Sequence, residues 1–488
     1  ALIVRSQTRV DAELLAAAAP RLGVVGVASV GIDRIDVEAA TRAGVMIVNA
    51  PTGNTIAAAE HTMALMLALL RQVPDANASV RAGEWERARY TGHELRGKTL
   101  GIIGLGKIGK AVARRAAGFE MRVITHDPFL TEEQAAESGA RLVGMTELLH
   151  RSDVITVHTP LTPQTRNLLG RAQLEATKPG AFVLNVARGG IVDESALADG
   201  LASGHLAGAA VDVFSAEPMT ADNPLRSAPN VVLTPHLGAS TTEAQDRVGL
   251  EMAEQVVLAL SGVTPPYAVN APSVAPDVAP RLRPYVELGR RLAILARQLA
   301  PAAFDGLSLT YAGEIAAGEC APIRTAALAG LLEAVTEQRV NAVNADLVAL
   351  ERGLTVRETR TASSEPWASL VSLAVGPTDG EPVVSLAGST AHGRPHLAEV
   401  DGFAIDAELS GLMLVTRHAD RPGVVGAVGT LLAEAGINIS SLELSRLSEH
   451  GEAMMFVSVD DPLDSSVLER VRSVDGITDA RVVELPSG

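Results

Sequence analysis

Short apolar runs alternate with stretches of helical spacing along the first half of the chain. Residues 45–48, 99–103, 122–125, 154–157, 181–184 and 231–234 form apolar, β-branched-rich runs of strand length. Between them, 57–70 and 108–117 carry apolar residues at helical intervals. Buried strands separated by helices predict βαβ units and a parallel sheet covered on both faces. The pattern changes at a stretch crowded with Pro265, Pro266, Pro272, Pro276, Pro280 and Pro284, which marks a domain boundary and a candidate hinge. Beyond it, 285–299 and 324–335 predict helices and 382–386 a strand. The last segment predicts strand (412–416), helix (422–435), strand (437–447), strand (453–459), helix (466–473) and strand (478–485). That is the split βαβ order of a ferredoxin-like unit.

Composition narrows the class. Of 488 residues, 47% are hydrophobic and 20% charged, which excludes a disordered chain. A formal charge of −16 argues against a broad footprint on nucleic acid or anionic membrane. Lysine stands only at Lys98, Lys107, Lys110 and Lys178, so binding of anions falls to arginine, whose planar fork matches carboxylates and phosphates. The single cysteine, Cys320, cannot form an internal disulfide, and no Cys/His set at ligand spacing predicts a metal. His392 and His396 are separated by Pro395, which spoils a helical ligand pair. No window approaches the ~18 uninterrupted apolar residues of a membrane span, and no secretory signal pattern is present. The chain opens at Ala1 in an apolar run, as the middle of a domain would.

Gly104-Leu-Gly106-Lys-Ile-Gly109 follows one apolar run and opens a helical stretch. In that setting the first glycine permits a tight turn, the second lets backbone approach a pyrophosphate, and the third allows close helix–strand packing. The next predicted strand ends beside Asp127, where a carboxylate can bind the adenine ribose and repel the extra phosphate of NADP. NAD is the predicted cofactor. Three later stretches each set a titratable or charged residue after an apolar run, at the strand end where open α/β sheets take ligands. They are Asn185-Val-Ala-Arg188-Gly-Gly, Val211-Asp212-Val-Phe-Ser-Ala-Glu217-Pro and Thr234-Pro-His236-Leu-Gly.

These stretches, in order and spacing, resemble the signatures of the D-isomer-specific 2-hydroxyacid dehydrogenases, a likeness that covers Arg5 to about Asn270. The resemblance implies a Rossmann-like NAD domain (55–238) inserted in a smaller α/β substrate domain (1–54 and 239–272). It also implies hydride transfer between C2 of a 2-hydroxy acid and the nicotinamide. Such chemistry needs a base of near-neutral pKa, for which His236 is the candidate. Glu217 would orient its ring, and Arg188 would clamp the substrate carboxylate and polarise the C2 oxygen. Asp212 matches the position that holds the nicotinamide carboxamide. Lys107, Ile108, Thr159, Pro160 and Ala187 match further cofactor positions. His61, on an apolar helix, is expected to be packed, and His158 to line the adenine pocket.

The tail sharpens the expected substrate. Arg417-His418-Ala-Asp420-Arg-Pro422-Gly423 and Ala435-Gly-Ile-Asn438 resemble an ACT domain (409–488), a ferredoxin-like module that binds amino acids between paired copies. Asp420 can take an α-ammonium and Asn438 offers both a donor and an acceptor, which suits an amino acid; the resemblance implies that His418, Asp420 and Asn438 form a serine site. An ACT tail, with an α+β intervening domain (273–408), resembles the long-form phosphoglycerate dehydrogenases. That implies 3-phosphoglycerate as substrate, L-serine as inhibitor, a homotetramer and a cytoplasmic setting. Arg5 and Asn54 match substrate-binding positions, with Arg87 and Arg89 as further candidates. Arg394 and His396 are read as a solvated surface rather than an anion site. One departure stands out: Val27-Ala-Ser29-Val-Gly31-Ile-Asp33 lacks an expected arginine and is similar to glyoxylate and hydroxypyruvate reductases. Glycerate or glycolate therefore stay open as substrates, as does a non-enzymatic NADH-sensing role, since the family includes corepressors. Relatives begin with further residues ahead of the strand that leads to Arg5, so the N-terminus is expected to be truncated, or the substrate lobe built without them.

Overall fold

The computed structural model describes every residue except Ser6, Pro20, Pro276, Pro301, Ala302, Glu337, Ser487 and Gly488. Contacts divide the chain into two units: Ala1–Val27, Gly31–Asn49 and Glu254–Gly488 form the first, and Ala28–Val30 with Ala50–Ala253 the second.

The first unit opens with a parallel sheet of β1 (Leu2–Val4), β2 (Val24–Val27) and β3 (Met46–Asn49), in that order. Val4, Val25, Val27 and Ile47 pack into its core with Leu15 and Ala40 from two short helices. Each helix is started by an aspartate, Asp11 accepting from the Leu14 N–H and Asp36 from the Ala39 N–H. The proline-rich stretch is partly claimed by this lobe. The Val269 N–H donates to the Ile47 carbonyl at 2.8 Å, and Asn270 accepts from the Ile47 N–H at 2.8 Å while donating to Val45 and Thr41. At its other end, helix Ala279–Leu299 takes in both Pro280 and Pro284. Pro280 sits in the first turn, where no partner exists for its N–H, whereas Pro284 lies inside the helix and removes one of its hydrogen bonds. The candidate hinge therefore shrinks to 271–278, within which Pro276 lies outside the described residues.

The second unit is built on a seven-stranded, fully parallel sheet: β4 (Thr99–Ile103), β5 (Arg122–His126), β6 (Arg141–Leu142), β7 (Val154–Val157), β8 (Ala181–Asn185), β9 (Leu206–Val211) and β10 (Val231–Leu233). The order is β10-β9-β8-β7-β4-β5-β6. Leu100, Ile102, Ile155, Val183 and Leu184 are all fully buried, each contributing about 1.5–3 kcal/mol. The strand order reverses at β4, which lies between β5 and β7. In such sheets ligands bind outside the carboxyl ends of the strands at the reversal, here Gly104 after β4 and His158 after β7.

The rest of the first unit holds two more sheets. β11 (Gly306–Gly313), β12 (Thr355–Thr361), β13 (Ser369–Gly376), β14 (Val384–Ala391), β15 (Arg394–Val400) and β16 (Phe403–Glu408) run in the order β12-β11-β13-β14-β15-β16, packed by helices Ala279–Leu299 and Ala321–Leu332. β17 (Gly411–Ala419), β18 (Ile439–Arg446), β19 (Glu452–Val459) and β20 (Ile477–Leu485) form an antiparallel sheet ordered β18-β19-β17-β20. Helices Val424–Glu434 and Ser465–Arg472 cover one of its faces through Val428, Leu432, Val467 and Val471. The opposite face supplies Met413, Val415, Met454, Phe456 and Val483 to the same core as Leu288, Leu292, Leu295 and Leu397. The tail module and the domain before it therefore share one hydrophobic core. Among the described residues no helix is long and apolar enough to cross a membrane.

Candidate active site

Gly104 turns the chain out of β4 at φ +90°, a conformation glycine adopts without steric cost. A Cβ there would lie 2.7 Å from Thr159 and 2.8 Å from the His158 carbonyl, and one on Gly109 2.2 Å from the Gly104 carbonyl. On Gly106 it would meet nothing within 4 Å, so this backbone faces open space. Helix Lys107–Gly118 starts at Gly106 with no side-chain cap, which leaves the first-turn N–H groups at Lys107 and Ile108 suited to an anion. Asp127 follows β5 and braces the turn, its Oδ2 accepting from the Leu105 N–H at 2.9 Å and its Oδ1 from the Phe129 N–H at 3.0 Å.

Opposite the turn, Thr159 Oγ1 and His158 Nδ1 are buried with no partner in this chain. Leaving such a group unpaired costs about 1–3 kcal/mol, and both stand where a dinucleotide is expected. Burial pushes the His158 imidazole down to about 4, so the ring is neutral near pH 7; its Nε2 lies 3.1 Å from Thr156 Oγ1. The residues fit NAD. Pro160 is held by its carbonyl, which accepts from Thr165 Oγ1 at 2.6 Å, and Ala187 donates its N–H to Asn185 Oδ1 at 3.2 Å.

The chain leaving β10 carries His236, a non-glycine residue at φ +56°. Asp212, just past β9, holds this loop in place. Its carbonyl accepts the His236 N–H at 2.8 Å. Its carboxylate accepts from Thr234 Oγ1 at 2.6 Å, the Leu237 N–H at 2.8 Å, the Gly238 N–H at 2.9 Å and His61 Nε2 at 3.1 Å. Burial opposes the charge on Asp212, yet the bonds from His61, Thr234 and Leu237 keep it below the usual carboxylate range.

His236 Nδ1 lies 2.8 Å from Glu217 Oε2, and Glu217 Oε1 accepts from the Phe214 N–H at 3.0 Å. The Glu217 bond raises the His236 pKa above 6.5 against partial burial. Burial works against the Glu217 charge as well, but the His236 and Phe214 bonds hold that carboxyl below its ordinary value. An ionised Glu217 only accepts, so the Nδ1 proton stays between the two residues and Nε2 is left to take or give a proton. The Arg188 segment runs against this loop, since a Cβ on Gly189 would fall 1.9 Å from the Phe214 carbonyl. Arg188 is near enough for its charge to oppose the imidazolium, and its Nη1 donates to the Ala187 carbonyl at 2.7 Å. A proton acceptor, its anionic partner and a guanidinium thus occur together in the second unit.

Asn54 belongs to the same unit, its Oδ1 buried without a partner. Arg5 stands exposed just past β1 in the first unit. His61 is largely buried, as its apolar helix predicts, but its bond to Asp212 was not foreseen. Asp212, expected to hold the nicotinamide carboxamide, has both oxygens engaged by the His236 loop.

The residues of the expected serine site each have a partner within the chain. His418 is 3% exposed on the central strand β17, its Nδ1 3.2 Å from Thr416 Oγ1, and burial lowers its pKa. Asp420 is not a free carboxylate, because Arg446 on β18 donates to it at 2.8 Å and the His450 N–H at 3.1 Å. Asn438 gives its amide to Asp460 at 2.6 Å. Arg394 and His396 are paired with Glu408 and Asp406.

Known proteins resemble the chain along its whole length. Residues 63–238 match the D-isomer specific 2-hydroxyacid dehydrogenase NAD binding domain, 281–401 the D-3-phosphoglycerate dehydrogenase intervening domain, and 412–476 the ACT domain. The chain is 43% identical over 486 residues to a Synechocystis D-3-phosphoglycerate dehydrogenase, covering 99% of this chain and 87% of that one. It is 42% identical over 487 residues to the Archaeoglobus fulgidus enzyme of that name, covering 99% and 92%. Among solved structures, a Thermus thermophilus protein matches with a TM-score of 0.51 at 40% identity, covering 55% of this chain and 85% of that one. A Paecilomyes thermophila glyoxylate reductase matches at 0.51 and 35%, covering 55% and 82%. The chain is an NAD-binding member of the D-isomer specific 2-hydroxyacid dehydrogenase family, of the form that carries an intervening domain and an ACT domain.

Proposed function

We propose that the protein oxidises 3-phospho-D-glycerate to 3-phosphohydroxypyruvate with NAD, under feedback control by L-serine, as a homotetramer in the cytoplasm. The observation that carries the substrate is likeness along the whole chain, intervening and ACT domains included, to enzymes named for that activity.

When bound, NAD supplies the hydride acceptor for C2 of the hydroxy acid. Lys107 and Ile108, with Gly104, Gly106 and Gly109, would cradle its pyrophosphate, Asp127 its adenine ribose, and Thr159 and the orphaned His158 Nδ1 its remaining polar groups. His236 Nε2 takes the proton of the C2 hydroxyl as the carbonyl forms, and returns it in the reverse direction. Glu217 keeps the other ring nitrogen protonated and stabilises the imidazolium. Arg188 binds the substrate carboxylate and steadies negative charge on the C2 oxygen. Arg5 and Asn54 are assigned to the phosphate and carboxylate ends of the substrate. For serine, Asp420 would receive the α-ammonium once Arg446 gives way.

Val27 and Ser29 favour a second reading, reduction of glyoxylate or hydroxypyruvate. A substrate panel separates the two. NADH formation with 3-phospho-D-glycerate, suppressed by L-serine, is the expected result. Turnover of D-glycerate or glycolate with none of the phosphorylated acid would support the reductase instead.

A further inference from the structure

We propose that His61 is a positioning residue for the reaction: through Asp212 it fixes the loop that carries His236 and sets the charge that His236 faces. This rests on the assignment of His236 as the base. His61 lies on helix Thr55–Leu70, and its Nε2 is 3.1 Å from Asp212 Oδ1 and 3.3 Å from Thr234 Oγ1. The tautomer follows from these partners. Asp212 is ionised and accepts only, and the Thr234 hydroxyl spends its proton on Asp212 Oδ1 at 2.6 Å. Both oxygens facing His61 therefore need a donor, so Nε2 carries the hydrogen.

Asp212 grips the loop through the Thr234 hydroxyl and the Leu237 and Gly238 N–H groups. His236 lies between these points with its backbone at φ +56°, a conformation that persists only where its surroundings impose it. His61 is the one donor to this carboxylate from outside the 234–238 loop among the described residues. It ties the loop to a helix whose Ala58, Ala59, Met63 and Met66 are buried. The helix thus serves as the fixed reference for the base. His61 also withdraws charge from Asp212, which acts on His236 together with Glu217 and Arg188. Without that donor Asp212 is left more negative and favours the imidazolium, so His236 should titrate higher.

The test compares His61→Leu with His61→Gln, whose amide Nε2 can reach as the imidazole Nε2–H does, in the full chain. His61→Leu should lower kcat for 3-phosphoglycerate oxidation roughly tenfold or more, with KM changed by no more than about twofold. It should raise the pH midpoint of His236 by roughly half a unit. That midpoint is read in the protein without cofactor, as the pH dependence of His236 ethoxycarbonylation by diethyl pyrocarbonate followed by peptide mass spectrometry. His61→Gln should restore most of both. If the Leu variant fails to fold, His61→Asn, with its shorter reach, replaces it against Gln. Equal kcat in the donor and non-donor variants, with the His236 midpoint unmoved, would overturn the proposal. His236→Asn, run alongside, separates the two failures: if it stays active the base assignment falls, whereas an inactive His236→Asn beside a native-like His61→Leu removes only the role of His61.

Discussion

Replacing Glu217 by Gln keeps the shape of the His236 partner and removes its charge. The contact is 2.8 Å long, and the two side chains are 41% and 32% exposed. At that distance the Coulomb attraction is about 1.5 kcal/mol in bulk water and about 6 kcal/mol at an effective dielectric of 20. With both groups this open to solvent the screened end applies, and about 1.4 kcal/mol is one pH unit. Oxidation needs the neutral imidazole, so its rate should rise with pH through a midpoint above 6.5 in the native protein, because Glu217 raises the His236 pKa. In Glu217→Gln the midpoint should fall by about one unit, since Arg188 and burial then act unopposed by that carboxylate. The assay is kcat/KM for 3-phosphoglycerate oxidation across pH. A midpoint that stays put or moves up would refute the pairing. Stability follows by linkage. The raised His236 contributes below its unfolded value of 6.5 and the lowered Glu217 above 4.5, so the Tm deficit of Glu217→Gln should be largest between those values. It should shrink on either side.

Other substitutions probe separate parts of the site. Gly189→Ala would place a methyl 1.9 Å from the Phe214 carbonyl, so the Arg188 and Glu217 segments must part. Unfolding should show a loss on the order of 3 kcal/mol together with loss of turnover. Asp127→Ala removes the acceptor for the Leu105 N–H and should weaken NADH binding roughly tenfold or more. In fluorescence titrations it should also narrow the preference over NADPH; an unchanged ratio would remove Asp127 from cofactor choice. Arg446→Gln removes the cation held by Asp420, leaving only the His450 N–H on it, and should strengthen L-serine binding about two- to fivefold by calorimetry. Weaker binding would mean that Arg446 itself meets the effector.

Much of the fold could be read along the chain because buried parallel strands are continuous apolar runs. The runs at 99–103 and 154–157 coincide with β4 and β7. The glycine turn was equally legible, since φ +90° at Gly104 and the close packing at Gly109 leave few alternatives to glycine. Strand β12 was not, because its residues are polar and mostly exposed and form no run. The start of helix Ala279–Leu299 is misplaced in that reading because Pro280 begins the helix and Pro284, a residue that usually ends helices, lies inside it. At the site, residue types and strand-end positions brought His236, Glu217 and Arg188 into view. Contacts between distant segments stayed hidden: His61 meets Asp212 across 151 positions, and Arg446 meets Asp420 from another strand. Both change the chemistry of a carboxylate without leaving a local pattern.

The central claim is that His236 carries the proton while this chain oxidises 3-phospho-D-glycerate with NAD. Steady-state kinetics of His236→Asn against the native protein, with NADH binding measured on the same samples, test it most directly. The account predicts that kcat falls on the order of 10²–10⁴-fold while the Kd for NADH stays within about twofold, because the glycine turn is untouched. A variant that keeps kcat within about tenfold of native while binding NADH normally would contradict it.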